Sequence, residues 1–425
     1  MSREAPAGPL RSVVVAVGDE LLLGRTVDTN GAWLGRELAE LGVPVLRKAT
    51  VGDADGAIRR ALAAALDDAR VVLFSGGLGP TEDDRTRTAV AAELGLALEA
   101  DEAVLEALTA RYLARGWDHL PPANRRQALV PAGARVLANP VGTAPGLVME
   151  HRGRLVALLP GVPRELKALF PQVAEAIRAA FGEQLRPVHL LTVHTTGIPE
   201  SVLAPLVEEA MAGAPAGVEV AYLPDLTGVD IRLTVRDRSG ADAREALEAA
   251  RALLDPVVED YRVPGESGDV AEAVLDALRA RGWTLALGES CTGGLAAKRL
   301  TDVPGSSAVV AGGVVAYSNE AKTALLGVSA ETIREHGAVS EPVARALAQG
   351  AARAFGARCG VGITGVAGPG GGSPEKPVGT VHYAATVGDR TRAAHTVFAG
   401  DREAVRIRAA QAALTLLLRM VEDGS

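Results

Sequence analysis

A serine stands at a predicted strand-to-helix junction in the C-terminal third of the chain. The segment T-L-A-L-G-E-S-C-T-G-G-L-A-A-K runs from Thr284 to Lys298, and its pattern predicts a strand that ends near Gly288 and a helix that begins near Gly293. Free backbone N–H groups at a helix start can hold an oxyanion or a phosphate, so Ser290 is a candidate nucleophile. The simpler alternative is that Ser290 or Thr292 caps the helix.

A lysine lies at a second junction of the same kind. The segment V-V-A-Y-S-N-E-A-K ends at Lys322 and places Tyr317, Asn319 and Lys322 within six residues. The 44 basic residues include five lysines, Lys48, Lys167, Lys298, Lys322 and Lys376. Because arginine keeps its proton in proteins, a retained lysine indicates a need for a neutral amine, with chance and codon bias as the alternative. A buried lysine of lowered pKa could take the proton of a serine hydroxyl.

Two cysteines complete the candidate nucleophiles. Cys291 follows Ser290 directly and rivals it, because a thiol at a helix N-terminus is acidified. Cys359 lies in an apolar strand and is predicted to be a small core residue. The two cysteines have no C-x-x-C spacing, which predicts neither a disulfide framework nor a zinc–thiolate site.

A long glycine-rich loop follows a predicted strand. It runs from Gly362 to Thr380 as G-I-T-G-V-A-G-P-G-G-G-S-P-E-K-P-V-G-T. It has neither the Walker order of Gly, Lys and Ser/Thr nor a strict G-x-G-x-x-G. By itself the loop is a weak indication of contact with a phosphate or another ligand.

The N-terminal part carries further glycine-rich strand ends, where open α/β sheets bind ligands. The segments V-A-V-G-D-E-L-L-L-G-R, F-S-G-G-L-G-P-T-E-D-D, N-P-V-G-T-A-P-G and L-P-G-V-P-R-E-L supply the candidate nucleotide-binding residues Gly18, Asp19, Glu20, Gly76, Gly77, Gly79, Thr81, Asn139, Gly142 and Gly161. Asp83 and Asp84 could hold Mg²⁺, which prefers carboxylate and phosphate oxygens. Alternatively, the two acids only favour the dipole of the helix that follows.

Alternating strands and helices must position these residues. In the N-terminal part we predict strands 12–17, 71–75 and 155–160 and helices 29–41, 54–69 and 85–95, an arrangement of βαβ units on a mostly parallel sheet. After the turn-rich linker 263–268 the alternation returns, with helices 269–281, from 293, 320–326, 341–355 and 401–421 and strands 283–288, 309–317, 359–364, 378–386 and 392–398. The predicted domains are residues 1–182, 183–262 and 263–425.

The middle domain differs from its neighbours. Its predicted order is strand 189–195, helix 199–211, strands 218–222 and 229–235, and helix 241–260, which indicates a small KH-like α+β module. A KH module clamps RNA with a G-x-x-G loop, but no two glycines here have that spacing, since Gly213 and Gly217 are one residue too far apart. We interpret the module as a spacer.

The composition limits the classes of function. The 425 residues are 48% hydrophobic with a net charge of −8, so the chain is expected to form several globular cores. A basic stripe, which a nucleic-acid binder needs, is missing. Neither a signal peptide nor an apolar run of about 18 residues is present. We therefore expect a cytoplasmic protein with no nucleic-acid or membrane partner.

Five C-terminal motifs together resemble the nicotinamide-nucleotide amidohydrolase domain of the CinA family over residues 269–421. They are G-E-S-C-T-G-G, Y-S-N-E-A-K, H-G-A-V-S-E-P, G-I-T-G-V-A-G-P-G-G-G and F-A-G-D-R. The resemblance implies hydrolysis of nicotinamide mononucleotide to nicotinate mononucleotide and ammonia without a cofactor, with Ser290 as nucleophile, Lys322 as base and Tyr317 as a supporting residue. The substrate-binding residues that it implies are Thr364, Gly365, Arg402, Asn319, Gly293 and Gly294.

The N-terminal motifs, above all G-G-L-G-P-T-x-D-D, resemble the molybdopterin-binding-like domain of the same family over residues 12–170. This resemblance implies a three-layer α/β fold and hydrolysis of ADP-ribose with a divalent metal such as Mg²⁺ at Asp83 and Asp84. It also implies a homodimer. The alternative is a non-catalytic nucleotide- or pterin-binding regulatory protein linked to competence or DNA damage.

Overall fold

The structure is a computed structural model that describes residues 8–236, 238 and 240–423. The chain divides into two compact units. The first contains the chain up to His189 together with Val235–Glu245, and the second contains Leu190–Thr234 and the chain from Ala246 onward. The predicted α/β class is confirmed.

The first unit is built on a six-stranded sheet with the order β2-β1-β3-β8-β7-β6. Its elements in chain order are β1 Ser12–Val17, α1 Asp19–Leu22, α2 Thr29–Leu41, β2 Val45–Val51, α3 Asp55–Asp68, β3 Val71–Ser75, α4 Thr86–Leu94, β4 Leu98–Ala100, α5 Glu102–Ala114, β5 Leu129–Pro131, β6 Arg135–Leu137, β7 Gly146–His151, β8 Arg154–Leu159 and α6 Pro163–Phe181. Strands β2, β1, β3 and β8 are parallel, while β7 and β6 are antiparallel to their neighbours.

Alternate residues of the central strands face opposite layers of helices. Val14 and Leu73 pack with α2 and α6, whereas Val13 and Phe74 pack with α3 and α4. Because successive side chains of a strand point to opposite faces, this arrangement gives the three-layer α/β architecture that the N-terminal motifs predicted.

The middle module is an α+β unit. It consists of β9 His189–Thr195, α7 Glu200–Met211, β10 Val218–Pro224, β11 Val229–Val235 and α8 Gly240–Val258, and its sheet has the order β10-β11-β9. The types and order of these five elements are those predicted.

The C-terminal region contains a five-stranded sheet with the order β13-β12-β14-β15-β16. Its elements are α9 Val270–Arg279, β12 Leu285–Glu289, α10 Leu295–Asp302, β13 Val310–Val315, α11 Asn319–Leu326, α12 Ala330–His336, α13 Glu341–Phe355, β14 Cys359–Gly365, β15 Thr380–Val387, β16 Arg390–Val397 and α14 Arg402–Glu422. Leu285 and Leu287 face α9 and α14, and Ala286 faces α11 and α13.

The structure also contains elements that the sequence did not predict. These are α1, β2, β4, α5, β5, β6, β7, α6 and α12. The helix predicted to begin near Gly293 begins at Leu295 instead. Among the described helices, none is long and apolar enough to span a membrane.

Candidate active site

The candidate site of the C-terminal region lies where three parallel strands end. Glu289, the last residue of β12, is opposite Val315 of β13 and Ile363 of β14. The N–H of Ser290 donates to the carbonyl oxygen of Ile363 at 2.9 Å. The residues that follow these strands, which include Ser290, are therefore brought to one edge of the sheet.

The Ser290 hydroxyl is available for chemistry. Ser290 is 8% exposed, and its hydroxyl makes no hydrogen bond with any residue that the structure describes. Helix α10 has Gly294 as its N-cap, with no capping bond from a side chain of that residue. The alternative that Ser290 or Thr292 caps this helix is therefore wrong.

The Glu289 carboxylate replaces such a cap. This side chain, 1% exposed, accepts hydrogen bonds from the backbone N–H groups of Gly294 at 3.0 Å, Ala296 at 3.2 Å and Ala297 at 2.8 Å. Glu289 belongs to the G-E-S-C-T-G-G motif, but its role was not predicted from the sequence. A carboxylate just before a helix start was the signal that could have indicated one.

This arrangement narrows the choice of oxyanion donors. The N–H of Gly293 donates to the Ser290 carbonyl oxygen at 3.0 Å, and the N–H of Gly294 is held by Glu289. The N–H groups of Cys291 and Thr292 donate to no backbone or side-chain oxygen in the described part of the chain, although both lie near the Cys291 sulfur and would stabilise its thiolate. Those two groups, adjacent to Ser290, are the candidates for an oxyanion hole.

The Cys291 thiol is poorly suited to act as the nucleophile. Its burial raises its pKa to about 12, although its own backbone N–H and that of Thr292 oppose the shift. The negative charge of Glu289 raises the pKa further. Since the thiolate is the reactive form of cysteine, a thiol with this pKa is inert near neutral pH.

Lys322 is buried on α11, with 2% of the residue exposed. Its ammonium donates to the carbonyl oxygens of Tyr317 at 3.2 Å and Ser318 at 3.5 Å. Burial lowers the pKa of Lys322, and the nearby Cys291 and Glu320 partly oppose this shift. No hydrogen bond joins Lys322 to Ser290 in the described residues, so the two predicted catalytic groups are not directly linked in this state.

Arg402 connects the predicted substrate-binding segments. It is the first residue of α14, and its guanidinium donates to the Tyr317 hydroxyl at 3.0 Å and to the Gly368 carbonyl oxygen at 2.7 Å. Tyr317 is 61% exposed. This contact brings the glycine-rich loop, the start of α14 and the segment before α11 together at the surface.

The other predicted substrate-binding residues differ in their surroundings. The buried Thr364 hydroxyl donates to the Ala338 carbonyl oxygen at 2.7 Å, so it holds a loop in this state. Position 365 requires glycine because a Cβ there would lie 2.7 Å from the Thr380 carbonyl oxygen. Asn319 is exposed at the start of α11.

Arg406 is a further residue of the site that the sequence analysis did not identify. Its Nε and Nη2 donate to the Thr292 carbonyl oxygen at 3.1 and 2.7 Å. Arg406 lies one helical turn after Arg402 on α14. Its position in a long helix, 114 residues from Thr292 in the chain, carried no local signal.

In the first unit, two of the predicted glycine-rich strand ends approach each other closely. The N–H of Gly76 donates to the Leu159 carbonyl oxygen at 3.0 Å. A Cβ on Gly161 would lie 3.4 Å from the Gly76 Cα. The side chain of Asn30, not identified from the sequence, donates to Ser75 Oγ at 2.9 Å and to the Gly161 carbonyl oxygen at 2.7 Å.

The loop after β3 requires glycine at two predicted positions. Gly77 has a φ of +66°, and a Cβ there would lie 2.2 Å from Thr86 Oγ1. A Cβ on Gly79 would lie 2.4 Å from Asp84 Oδ2. The buried Arg87 supports this loop by donating to the Leu78 carbonyl oxygen at 3.1 Å. Burial lowers the pKa of Arg87 to about 10.

Acidic side chains gather at the same strand ends. Asp84 accepts hydrogen bonds from the Thr81 N–H at 2.9 Å and from the Thr81 hydroxyl, and that hydroxyl lowers the pKa of the exposed Asp83. The N–H of Asp19, the first residue of α1, donates to Asp53 Oδ2 at 3.0 Å.

The pKa of Asp53 is shifted by its surroundings. Burial raises its pKa, and the negative charges of Asp19, Glu20 and Asp83 raise it further. The side chain of Glu20 also lies over Gly18, because a Cβ on Gly18 would be 2.5 Å from Glu20 Oε1. No group of three or more His, Cys, Asp or Glu side chains suited to a metal ion occurs in the described residues.

Asn139 and Gly142, the remaining residues predicted to bind a nucleotide, lie in one loop of the first unit. Asn139 accepts hydrogen bonds from the N–H of Gly142 at 2.8 Å and donates to Glu165 Oε2 at 2.7 Å. Gly142 is required because a Cβ there would lie 1.9 Å from the Glu165 carboxyl carbon. The loop borders a cavity of about 290 Å³ that is otherwise lined mainly by α5.

Three family models match successive parts of the chain. Residues 13–181 match the family model "Probable molybdopterin binding domain", residues 191–262 match "Damage-inducible protein CinA KH domain", and residues 267–421 match "CinA C-terminal domain". Among solved structures, the competence/damage inducible protein CihA from Agrobacterium tumefaciens is 40% identical, with a TM-score of 0.36, and covers 37% of this chain and 96% of that chain.

Two relatives match along nearly their full length. The CinA-like protein of Gemmatimonas aurantiaca is 47% identical over 408 residues, covering 96% of this chain and 95% of that protein. The CinA-like protein of Anaeromyxobacter dehalogenans strain 2CP-C is 46% identical over 413 residues, covering 95% of this chain and 98% of that protein. By these matches the chain belongs to the CinA family of competence/damage-inducible proteins.

Proposed function

We propose that the C-terminal region hydrolyses the carboxamide of nicotinamide mononucleotide to nicotinate mononucleotide and ammonia, with Ser290 as nucleophile and Lys322 as base. The observation that carries this proposal is that one edge of the C-terminal sheet holds both a buried lysine of lowered pKa and a serine hydroxyl that has no hydrogen-bond partner among the described residues. A binding module has no use for either feature. The neighbouring thiol, with a pKa of about 12, is too weak an acid to take the role of Ser290.

Two backbone carbonyls orient the base. When the Lys322 amine is neutral, its two N–H bonds can donate to the Tyr317 and Ser318 carbonyl oxygens, which already accept from it. The nitrogen lone pair is then free to accept a proton. Catalytic hydrogen bonds are often long in apo active sites and tighten when substrate binds, so the proposal requires Lys322 and Ser290 to approach each other in the substrate complex.

The reaction proceeds in two stages. Lys322 takes the Ser290 proton as Oγ attacks the carboxamide carbon, and the N–H groups of Cys291 and Thr292 stabilise the oxyanion. The C–N bond breaks as the Lys322 ammonium gives its proton to the leaving nitrogen, releasing ammonia and leaving an acylated Ser290. Lys322 then takes a proton from water, which attacks the acyl carbon, and Ser290 recovers its proton. This sequence needs no cofactor.

Arg402 is the proposed contact for the negative part of the substrate. Its guanidinium is held beside Tyr317 and the glycine-rich loop, and guanidinium groups bind phosphates with paired hydrogen bonds. Thr364, Gly365, Asn319, Gly293 and Gly294 complete the proposed substrate contacts. The N–H groups of the last two are used within the protein, so these glycines would serve by allowing close approach.

Hydroxylamine tests for the acyl-enzyme. With nicotinamide mononucleotide as substrate, hydroxylamine should divert part of the product to the corresponding hydroxamate, detected by mass spectrometry. If substrate is consumed but the acid is the sole product at every hydroxylamine concentration, water attacks directly and the covalent route is wrong. If no substrate is consumed, the proposed activity itself is wrong, and the alternative of a non-catalytic regulatory protein takes its place.

A second activity is proposed for the first unit, the metal-dependent hydrolysis of ADP-ribose. The observation that favours it is the set of acidic side chains at glycine-rich strand ends, where burial and, to a lesser degree, the neighbouring negative charges raise the pKa of Asp53. Oxygen donors of this kind suit Mg²⁺ or a similar cation, with Asp83 and Asp84 as protein ligands. When bound, the metal would neutralise charge on the diphosphate. Binding of ADP-ribose without turnover would instead support the nucleotide- or pterin-binding alternative.

We also propose that the protein acts as a homodimer in the cytoplasm on small nucleotides. A net charge of −8 and the lack of a G-x-x-G spacing in residues 187–262 argue against a nucleic-acid partner. Light scattering would test the homodimer, and a DNA-binding assay at several salt concentrations would test the absence of a nucleic-acid partner.

A further inference from the structure

We infer that Glu289 is a positioning residue for the nucleophile. Its buried carboxylate fixes the turn from Ser290 to Gly294, so that two particular N–H groups are left to receive the oxyanion. This inference rests on the proposed function for its substrate, but its structural argument concerns Ser290 as a nucleophile toward any acyl donor.

Both oxygens of the Glu289 carboxylate accept hydrogen bonds. Oε2 accepts from Gly294 at 3.0 Å and Ala296 at 3.2 Å, and Oε1 accepts from Ala297 at 2.8 Å. These donors belong to the N-cap and first turn of α10. A side chain at the last position of β12 thus spans the whole turn and ties the end of the strand to the start of the helix.

The charge of this carboxylate is buried. Glu289 is 1% exposed, and in the described part of the chain its carboxylate is paired with backbone N–H groups rather than with a side-chain cation. Burying a charge is unfavourable unless hydrogen bonds satisfy it. An apolar strand end followed by a serine or asparagine cap would give the same helix at less expense, so the carboxylate indicates a requirement beyond folding.

Arg406 supports the other side of the turn independently of Glu289. Arg406 donates twice to the Thr292 carbonyl oxygen. With that carbonyl held by Arg406 and the later N–H groups held by Glu289, the peptide units on either side cannot rotate freely. The N–H groups of Cys291 and Thr292 therefore keep their direction before substrate arrives, which is the condition for effective oxyanion stabilisation.

The test compares Glu289→Gln with wild type in the full-length protein. Glutamine has nearly the same shape, but its amide nitrogen would face an N–H group that the carboxylate accepts from. We expect kcat for nicotinamide mononucleotide to fall by about 10- to 100-fold, the size of effect that a misplaced catalytic geometry produces, while KM changes by less than about threefold. Arg406→Gln should reduce kcat in the same way from the opposite side of the turn. Asp101→Asn, which alters the capping carboxylate of α5, is the matched control and should retain wild-type activity.

A second probe separates this inference from the proposed substrate. Acetylation of Ser290 by p-nitrophenyl acetate, followed by the mass of the Ser290 peptide, should slow in Glu289→Gln by a factor similar to the fall in kcat. That comparison still tests Glu289 if wild type leaves nicotinamide mononucleotide untouched. A folded Glu289→Gln protein that keeps kcat and the acetylation rate within twofold, with only its melting temperature lowered, would make Glu289 a helix cap alone. Failure of wild type to acetylate Ser290 would also overturn the inference.

Discussion

At the scale of single residues, the burial of Lys322 is unfavourable for stability but suits the proposed catalytic base. A buried ammonium that has no ion pair among the described residues is held by two carbonyl oxygens, and burial lowers its pKa. Stability alone would favour an apolar side chain at this position. A base that must be neutral near physiological pH gains from the same burial.

Replacing the base should therefore remove activity without loss of stability. In Lys322→Met we expect deamidation to fall by at least about 10³-fold and the melting temperature to stay the same or rise by up to about 4 °C. The gain in stability should be full below the lowered pKa of Lys322, shrink as the pH rises from that pKa to about 10.4, and be absent above it, where lysine is neutral in both the folded and unfolded states. Activity and thermal unfolding should be measured together.

Lys298→Met is the matched control, because Lys298 is exposed and pairs with Asp302 on the same helix. It should keep wild-type activity with little change in melting temperature. A large drop in the melting temperature of Lys322→Met would contradict the view that this lysine is retained for chemistry.

The pH dependence of the reaction follows from the direction of the Lys322 shift. The neutral amine is the active form, so kcat should rise with pH through the pKa of Lys322 and then level. Because that pKa is lowered, the rise should have its midpoint below about pH 10.4, the ordinary value for lysine. A profile of initial rates from about pH 6 to about pH 10.5 checks this. A rate that begins to rise only near the ordinary lysine value would be inconsistent with a lysine base of lowered pKa.

At the scale of elements, the site depends on strands and helices that are distant in the chain. Strand β12 supplies Glu289 and the turn after it, α11 supplies Lys322, and α14 supplies Arg402 and Arg406. The parallel pairing of β12 with β13 and β14 brings two of these segments to one edge. Helix α14 then crosses to the same edge and fixes the turn and the glycine-rich loop.

The contact between Arg402 and Tyr317 predicts coupling across two of these elements. Arg402→Met should raise KM by about 10- to 150-fold if the guanidinium binds the substrate phosphate, since a hydrogen bond to a charged group contributes about 1.5–3 kcal/mol. Tyr317→Phe removes the hydroxyl that accepts from Arg402 and should raise KM less. A double-mutant cycle on kcat/KM should give an interaction of about 0.5–1 kcal/mol. Strict additivity would mean that the two side chains act independently.

The sequence predicted the elements around the serine and the lysine because their signals are local. Strand β12, helix α11 and helix α14 all have a clear period and polar or glycine boundaries, and Asp401 caps α14 by accepting from the Ala404 N–H at 2.9 Å. Strand β2 was missed because its residues alternate in exposure as V-L-R-K-A-T-V, with charged residues in its middle. Its strand character comes from pairing with β1 rather than from apolar content.

The contacts within the site were less predictable than its residues. Arg406 reaches Thr292 across 114 positions of the chain, and no pattern along the sequence links them. Asn30 reaches Gly161 across 131 positions in the same way. The cap of α10 was misplaced because serine and threonine are the commoner capping residues, whereas here a carboxylate from the preceding strand takes that part.

At the scale of the whole molecule, the two compact units carry separate candidate sites with different requirements. The proposed amidase uses Ser290 and Lys322 and needs no metal, whereas the proposed hydrolysis of ADP-ribose needs a divalent cation near Asp83 and Asp84. A chelator and two substitutions should therefore separate the activities within one preparation.

Asp83→Asn or Asp84→Asn should reduce ADP-ribose hydrolysis by about 10- to 100-fold, as loss of a metal-site interaction does, and leave deamidation within about twofold. Chelation with EDTA should give the same pattern, and added Mg²⁺ should restore wild-type hydrolysis but not that of the variants. Asp118→Asn, an exposed aspartate of the same unit, serves as the control. Loss of deamidation on chelation would contradict the proposal of a metal-free amidase.

The most direct test of the central claim is the conversion of nicotinamide mononucleotide by purified full-length protein without added metal, followed by ammonia release and product mass. Wild type and Cys291→Ala should release ammonia and form the acid, whereas Ser290→Ala should remain folded and lose at least about 10³-fold in rate. A folded Ser290→Ala protein with full activity, or a Cys291→Ala protein without any, would contradict the assignment of Ser290 as the nucleophile.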